Sequence, residues 1–263
     1  MKIISWNINS LRAHEQYFRR VITALQPDIF CLQEIKDRED QHTFPVMGYR
    51  SFMNPAEASQ YYGTGMYVVN TIHPRSITFD PPLTGYDYQG RIIAAELNDL
   101  YVVNSYWPFS SYHKDSYWLT YRLRWNEYFQ DFIHMLQEKK PVILCGDMNM
   151  VRQDIDAFDG KAVKKVGCFY PEEHTAFEKL LQEEHLTDTY RYLHPVLEVE
   201  EGSGHYTAWA YSKDDVNRKS NQGFRIDYFL ASDSLLPRIL SSELLPEIYG
   251  SDHCPIILEI DEM

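Results

Sequence analysis

A chain of 263 residues with 44% hydrophobic, 24% charged and 14% aromatic content has material for one large domain with a sizeable buried core. Its formal net charge of −13 excludes the whole-surface basic footprint that holds nucleic acid loosely. A local basic rim around an acidic pocket stays open, as does a hard-cation site, to which an excess of carboxylates contributes.

The N-terminus moves straight from Met1 into a strand-like pattern, Lys2 to Ile8, without the apolar region or cleavage site of a secretory signal. No apolar run has bilayer-spanning length, so the expectation is a cytoplasmic protein. Of Cys31, Cys145, Cys168 and Cys254, three lie in or beside apolar runs and none forms a Cys-x-x-Cys pair, which predicts buried free thiols in a reducing compartment. Ser10 is placed to cap a helix in which Leu11, Tyr17, Phe18, Val21, Ile22 and Leu25 keep helical spacing, and Pro27 stops it. The run from Asp28 ends in the carboxylate of Glu34 and the cation of Lys36. Strands follow at Met66–Val69, Arg91–Leu97 and Leu100–Tyr106, separated by Gly-, Pro- and Asn-bearing turns.

Ser116–Gln137 is the longest helical candidate, with Leu119, Leu123, Tyr128, Phe132 and Leu136 as its apolar stripe and Arg122 and Arg124 near its start. Pro141 and Val142 lead into a strand that ends in Gly146-Asp147-Met148-Asn149. A second long helix is expected over Pro171–Glu184, with Pro171 near its first position and acidic residues in its first turn. Tyr206–Tyr211, Phe224–Ala231 and Cys254–Ile260 complete the strands, and Leu197–Gly204 reads as a surface loop. Many strands with few helices, out of strict alternation, predict two packed sheets flanked by helices in a single domain spanning 1–263. A nucleotide fold marked by G-x-G-x-x-G or a P-loop is excluded, since neither motif occurs.

One device recurs along the chain. Apolar runs end in an acidic or amide residue at Asn7, Glu34, Asp147 with Asn149, and Asp227, while Ser251-Asp252-His253 precedes the last run. Any single case reads better as a strand end turning into solvent. Side chains two apart on a strand share a face, however, and strand ends converge at one rim of a sandwich. Carboxylates gathered there repel unless a cation neutralises them. Oxygen donors without a Cys/His ligand pair point to Mg²⁺ or Mn²⁺ rather than zinc.

In chain order, the stretches Trp6-Asn7-Ile8-Asn9-Ser10-Leu11-Arg12, Leu32-Gln33-Glu34-Ile35-Lys36, Gly90-Arg91, Asn104-Ser105-Tyr106-Trp107-Pro108, Gly146-Asp147-Met148-Asn149, Arg225-Ile226-Asp227-Tyr228 and Ser251-Asp252-His253-Cys254-Pro255 cover nearly the whole sequence. With them the chain resembles the exonuclease III family of abasic-site (AP) endonucleases, within the endonuclease/exonuclease/phosphatase superfamily. The resemblance implies an α/β fold, a four-layered sandwich of two mixed β-sheets flanked by helices. It implies Mg²⁺-dependent hydrolysis of the phosphodiester 5′ to an abasic site, with Mn²⁺ as a substitute and with 3′–5′ exonuclease and 3′-end-cleaning activity. Glu34 would hold the cation, with Asn7, Asp147, Asn149 and Asp252 completing or supporting the site. Asp147 would orient or deprotonate the attacking water, and Asn149 would hydrogen-bond a non-bridging oxygen. His253, oriented by Asp227, would contact the scissile phosphate beside Tyr106. Double-stranded DNA with abasic or 3′-blocked lesions would lie on Arg12, Lys36, Arg91, Tyr121, Arg122, Phe224 and Arg225, bound by a monomer, with Lys161, Lys164 and Lys165 as a further basic run.

The sequence departs from the family pattern at Phe109, where Asn or Gln is usual, at Ala208, where an aromatic residue commonly lines the pocket, and at Phe224, where many members carry Trp. These positions bear on lesion choice, not on the hydrolytic residues. A phosphodiesterase of the same superfamily acting on another substrate, such as a lipid head group or a DNA–protein adduct, is the alternative on this scaffold. A DNA-binding module without turnover predicts a missing ligand, yet Asn7, Glu34, Asp147, Asn149, Asp227, Asp252 and His253 are all present.

Overall fold

Alternation of side chains along the strands sorts the chain into layers. The computed structural model describes residues 1–36, 44–56, 61–81, 89–111, 116–159, 167–195, 205–210 and 215–261. In chain order the elements are β1 (Lys2–Asn7), α1 (Leu11–Leu25), β2 (Ile29–Gln33), β3 (Tyr49–Asn54), β4 (Thr64–Val69), β5 (Ser76–Phe79), β6 (Ile92–Glu96), β7 (Tyr101–Tyr106), α2 (Ser116–Gln137) and β8 (Val142–Asp147). They continue with α3 (Pro171–Glu183), β9 (Leu186–Asp188), α4 (Thr189–Leu193), β10 (Ala208–Trp209), α5 (Val216–Lys219), β11 (Gly223–Phe224), β12 (Asp227–Ser232), β13 (Ile239–Leu244) and β14 (Ile256–Ile260).

Two six-stranded sheets form, in the orders β13-β14-β1-β2-β4-β3 and β5-β6-β7-β8-β12-β9, and β10 pairs with β11 in a short ribbon. Both large sheets are mixed, because β1 runs parallel to β2 and β7 parallel to β8 while their other pairs are antiparallel. Ile3, Ile29 and Cys31 of one sheet pack against Val102, Ile143, Cys145 and Phe229 of the other in a shared apolar layer. The alternate residues Ile4, Trp6, Phe30 and Leu32 pack outward with Phe18, Val21 and Ile22 of α1. Val103, Val142, Leu144 and Leu230 pack outward with Trp125, Phe129 and Ile133 of α2 and Phe177 and Leu180 of α3. The result is the expected sandwich, helix–sheet–sheet–helix. No helix among the described residues is long and apolar enough to cross a membrane.

The helices follow their end signals. Ser10 Oγ accepts from Ala13 N at 3.3 Å at the head of α1, and Pro171 opens α3 with Glu172 and Glu173 in its first turn. The stripe expected along α2 is corrected in part: Leu123 and Tyr128 are only half-buried, and Trp125, Phe129 and Ile133 carry the core instead. Strands β3, β5, β9 and β13 are additions; β3, β5 and β13 alternate with exposed positions and present no apolar run. Of the strand expected over Tyr206–Tyr211, the described residues 206–210 form only β10, Tyr211 lying outside them, and Phe224–Ala231 breaks at Arg225-Ile226 into β11 and β12. All four cysteines are free and buried. The loop expected at Leu197–Gly204 lies outside the described residues, as do Lys161, Lys164 and Lys165.

Candidate active site

The inner faces of both sheets carry the polar residues to one rim. On β1, Ile3 points between the sheets, so by alternation Asn7 does too, and on β8 the same holds for Ile143, Cys145 and Asp147. Asp227 opens β12 directly opposite Asp147 in the antiparallel register, and Tyr106 ends β7 beside it in the parallel one. Gly146 makes that neighbourhood possible: at φ +136° its backbone passes so close to β7 that a Cβ would lie 1.8 Å from Ser105 O. Below the rim, Gln33 Nε2 donates to Asn104 Oδ1 at 2.7 Å, and Asn104 Nδ2 donates to Leu32 O at 3.0 Å, tying the two sheets together.

The Asn7 amide bridges two carboxylates, donating to Glu34 Oε1 at 3.0 Å and to Asp147 Oδ2 at 2.9 Å. Tyr106 OH donates to the same Glu34 Oε1 at 2.7 Å, and Lys36 Nζ lies 2.9 Å from Oε2. Asp147 Oδ1 accepts from the backbone N–H of Asn149 at 2.9 Å. Asn149, at φ +44°, donates its own amide to Trp107 O at 3.0 Å. His253 Nδ1 donates to Asp227 Oδ2 at 2.9 Å, leaving Nε2 at 3.9 Å from Asp147 Oδ2. Asp252 joins from the side, accepting from Asn9 Nδ2 at 2.9 Å, while Lys36 donates to Asn9 Oδ1.

Burial raises Asp147 to about 7; the His253 charge opposes the rise, and Asp227 and Glu34 add to it. Burial also disfavours charge on His253, but Asp227, Asp147 and Asp252 outweigh it and hold the imidazole well above its ordinary value. The pair is thus a carboxylate poised near neutrality beside an imidazolium. Glu34 also drives Tyr106 up, adding to burial, so the phenol keeps its proton.

Among the described residues, Asp147, Asp227 and His253 form a group whose ligand atoms lie within 4.8 Å of one another and that could hold a metal ion. Their charges are already partly balanced, since the imidazolium sits between the two carboxylates. Glu34 and Asp252 lie outside this group, linked by Lys36 and Asn9. Asp227 Oδ1 is buried without a hydrogen-bond partner, and the donors around the rim are oxygen-rich. Such a set fits a hard divalent cation.

The residues expected to bind DNA divide sharply. Arg12 is exposed, Lys36 half-buried, and Tyr121 lines a surface cavity together with Arg91, which is itself buried at its base. Arg122 and Arg225 are corrections: both are fully buried, so neither guanidinium meets a phosphate outside. Arg122 donates to Pro108 O and, at 2.7 Å, to Met148 O, fastening the turns after β7 and β8. Arg225 pairs with Asp156 at 2.8 Å and with Asp188 at 2.8 Å. Phe224 is half-buried against Phe158 and Phe169, each 5.7 Å away between ring centroids, with Ala208 in the same cluster. Sequence reasoning passed over several positioning residues. Asn9 lay inside a quoted motif, and Trp6 Nε1 donates to His253 O at 3.0 Å. Thr207 Oγ1 accepts from the N–H groups of Ile226 and Asp227 at 3.1 and 3.2 Å, and no motif marked it.

Two stacked mixed sheets with an acid–imidazole cluster at their common rim define a phosphodiester hydrolase. Residues 4–253 match the model of the Endonuclease/Exonuclease/phosphatase family, and the chain belongs to that family. It is 35% identical to an exodeoxyribonuclease of Bacillus subtilis over 99% of this chain and 100% of that one. It is 34% identical to the DNA repair nuclease APEX1 of Danio rerio over 98% of this chain and 81% of that protein. Among solved structures, a 3′ phosphatase from Neisseria bound to a product DNA hairpin superposes with a TM-score of 0.87 at 25% identity, each chain covered in full. These relatives agree with the resemblance read from the motifs.

Proposed function

We propose that this protein is a DNA repair nuclease that hydrolyses the phosphodiester 5′ to an abasic site, and that it also trims and cleans 3′ ends. The observation that carries the reading is the poised Asp147–His253 pair, oriented by Asn7 and Asp227, at the open rim of the sandwich. Asp147, titrating near neutrality, is matched to taking a proton from an attacking water. His253, held as an imidazolium, offers Nε2–H to a phosphate oxygen that gains charge. Asn149 keeps one amide hydrogen beyond its bond to Trp107 O and offers it to a non-bridging oxygen. Tyr106, protonated, holds Glu34 in place and lies against the same phosphate.

Glu34, with Asn7 and Asp252, is the set we assign to Mg²⁺, with Asp147 and Asn149 alongside. A divalent ion bound there supplies positive charge to the phosphate oxygens and the leaving group. An abasic sugar would meet the wall of Phe224, Phe169 and Phe158, which replaces the aromatic residue missing at Ala208. Four buried free thiols are in keeping with work in a reducing cytoplasm.

The deciding experiment is incision of a labelled duplex carrying one synthetic abasic site, with Mg²⁺ or with EDTA. Incision that requires the metal is expected. Intact duplex under both conditions, with cleavage of another phosphodiester, would transfer the chain to a different substrate on the same scaffold.

A further inference from the structure

Tyr106 has a second face. It shares the wall of a cavity of about 390 Å³ with Tyr62, Arg91, Phe109, Trp118 and Tyr121. That volume lies within the roughly 300–1,000 Å³ of small-molecule sites. Arg91 is the one charged group among the described lining residues, and it is buried and tied down through two of its nitrogens. Its Nη1 donates to Tyr106 O at 2.9 Å and its Nε to Gln89 Oε1 at 2.6 Å. The guanidinium lies 4.5 Å from the Tyr62 ring centroid and 4.9 Å from that of Tyr106. The floor is therefore a fixed planar cation packed against two rings.

The remaining walls are mostly aromatic, with Pro108 and Ser111 among them. Phe109 offers carbon only, and Trp118 stands 41% exposed at the mouth, edge-on to Tyr121 at 6.1 Å. Ser111, the tyrosine hydroxyls and the Trp118 indole N–H supply a phosphate only neutral donors, whereas a flat, polar-edged ring finds faces to stack on. Bases within a paired duplex are stacked already and cannot enter. Because Tyr106 bonds Glu34 at 2.7 Å, the cavity opens beside the hydrolytic cluster, within reach of a nucleotide near the cut.

We propose that this cavity is a stacking subsite for an unpaired nucleobase, so that the enzyme engages single-stranded DNA adjoining the scissile phosphate. Every base has a π-face, which makes the preference tolerant of sequence. The proposal rests on the nuclease reading above for the identity of the polymer.

Anisotropy titrations of the Asp147→Asn protein test it, with a fully paired duplex, the same duplex with an unpaired 3′ tail, and one with a 5′ tail. A tailed duplex should bind more tightly than the paired one. Trp118→Ala should reduce that preference by roughly 5- to 150-fold, the range for loss of one stacked base, and Trp118→Phe should retain most of it. Equal binding of all three duplexes, as expected if the cavity takes an apolar peptide instead, overturns the subsite. So does a preference that survives both Trp118→Ala and Phe109→Ala. Metal-dependent incision of the paired abasic duplex by the intact enzyme is read separately. Incision without tail preference removes the subsite and keeps the nuclease, and a Trp118-dependent preference without incision does the reverse.

Discussion

At the scale of single residues, most of the proposed chemistry converges on Asp147. Asp147→Asn keeps the size of the side chain but removes the proposed base and one of its two accepting oxygens, so single-turnover incision should fall by about 10²–10⁴-fold with little change in DNA affinity. The same carboxylate shapes stability when metal is withheld. Between about pH 4, near the unfolded carboxylate value, and about 7, the folded state keeps a proton that the unfolded chain has lost. Stability therefore falls as pH rises through that window. His253 acts in the same sense: its raised value stabilises the fold below about pH 6.5, and this is lost as pH climbs through the folded value. Melting temperature in EDTA should decline from weakly acid to alkaline pH, and Asp147→Asn should flatten the acid half of that decline. A flat profile in the unmodified protein would contradict the assignment. That Asn7, Glu34, Asp147, Asp227 and His253 come together was legible because each borders an apolar run, the first four at its end and His253 ahead of the last one. Arg122 and Arg225 were misread because a sequence does not distinguish an arginine reaching solvent from one folded onto backbone carbonyls or buried aspartates.

At the scale of elements, the break between β11 and β12 shows what Arg225 does. It joins Asp156, in the 3₁₀ turn Asp154–Asp156, to Asp188 at the end of β9, and Arg191 from α4 closes the group on Asp156. Two cations and two anions are thus sealed together two residues before Asp227. Arg225→Ala strands buried carboxylates and should cost roughly 3–5 kcal/mol in urea unfolding. A phosphate contact at the surface would instead lose DNA affinity at unchanged stability. The network was invisible beforehand because its members are spread from Asp156 to Arg225 and come together only through sheet pairing. Elements with chemical end-marks were readable: Ser10 and Pro27 bracket α1, and Pro171 opens α3. Edge strands such as β3 and β5 carry exposed residues on one face and lack the apolar run that marked the central strands.

At the scale of the whole molecule, two sheets with flanking helices followed from many strands and few helices, whereas strand order depended on pairings that no local pattern encodes. Net charge then decides how DNA is approached. A chain at −13 gains nothing from long-range attraction, so individual surface cations near the rim must supply the phosphate contacts. Arg12 and Lys36 both stand in the motifs that carry the site, but their exposure differs. Arg12 is exposed in the first turn of α1, close in sequence to Asn9, which bonds Asp252. Lys36 lies 2.9 Å from Glu34 and already neutralises a site carboxylate. Releasing one phosphate counterion contributes about 0.9 to the slope of log affinity against log salt. Arg12→Ala should therefore flatten the slope by about 0.9 when binding is titrated between about 50 and 200 mM salt. Lys36→Ala should leave the slope nearly unchanged and lower turnover instead, because Glu34 loses the ammonium that fixes its second oxygen. Equal slope changes in the two variants would mean that Lys36 leaves Glu34 for the DNA backbone when substrate binds, and that the ion pair is a resting contact rather than part of the working site.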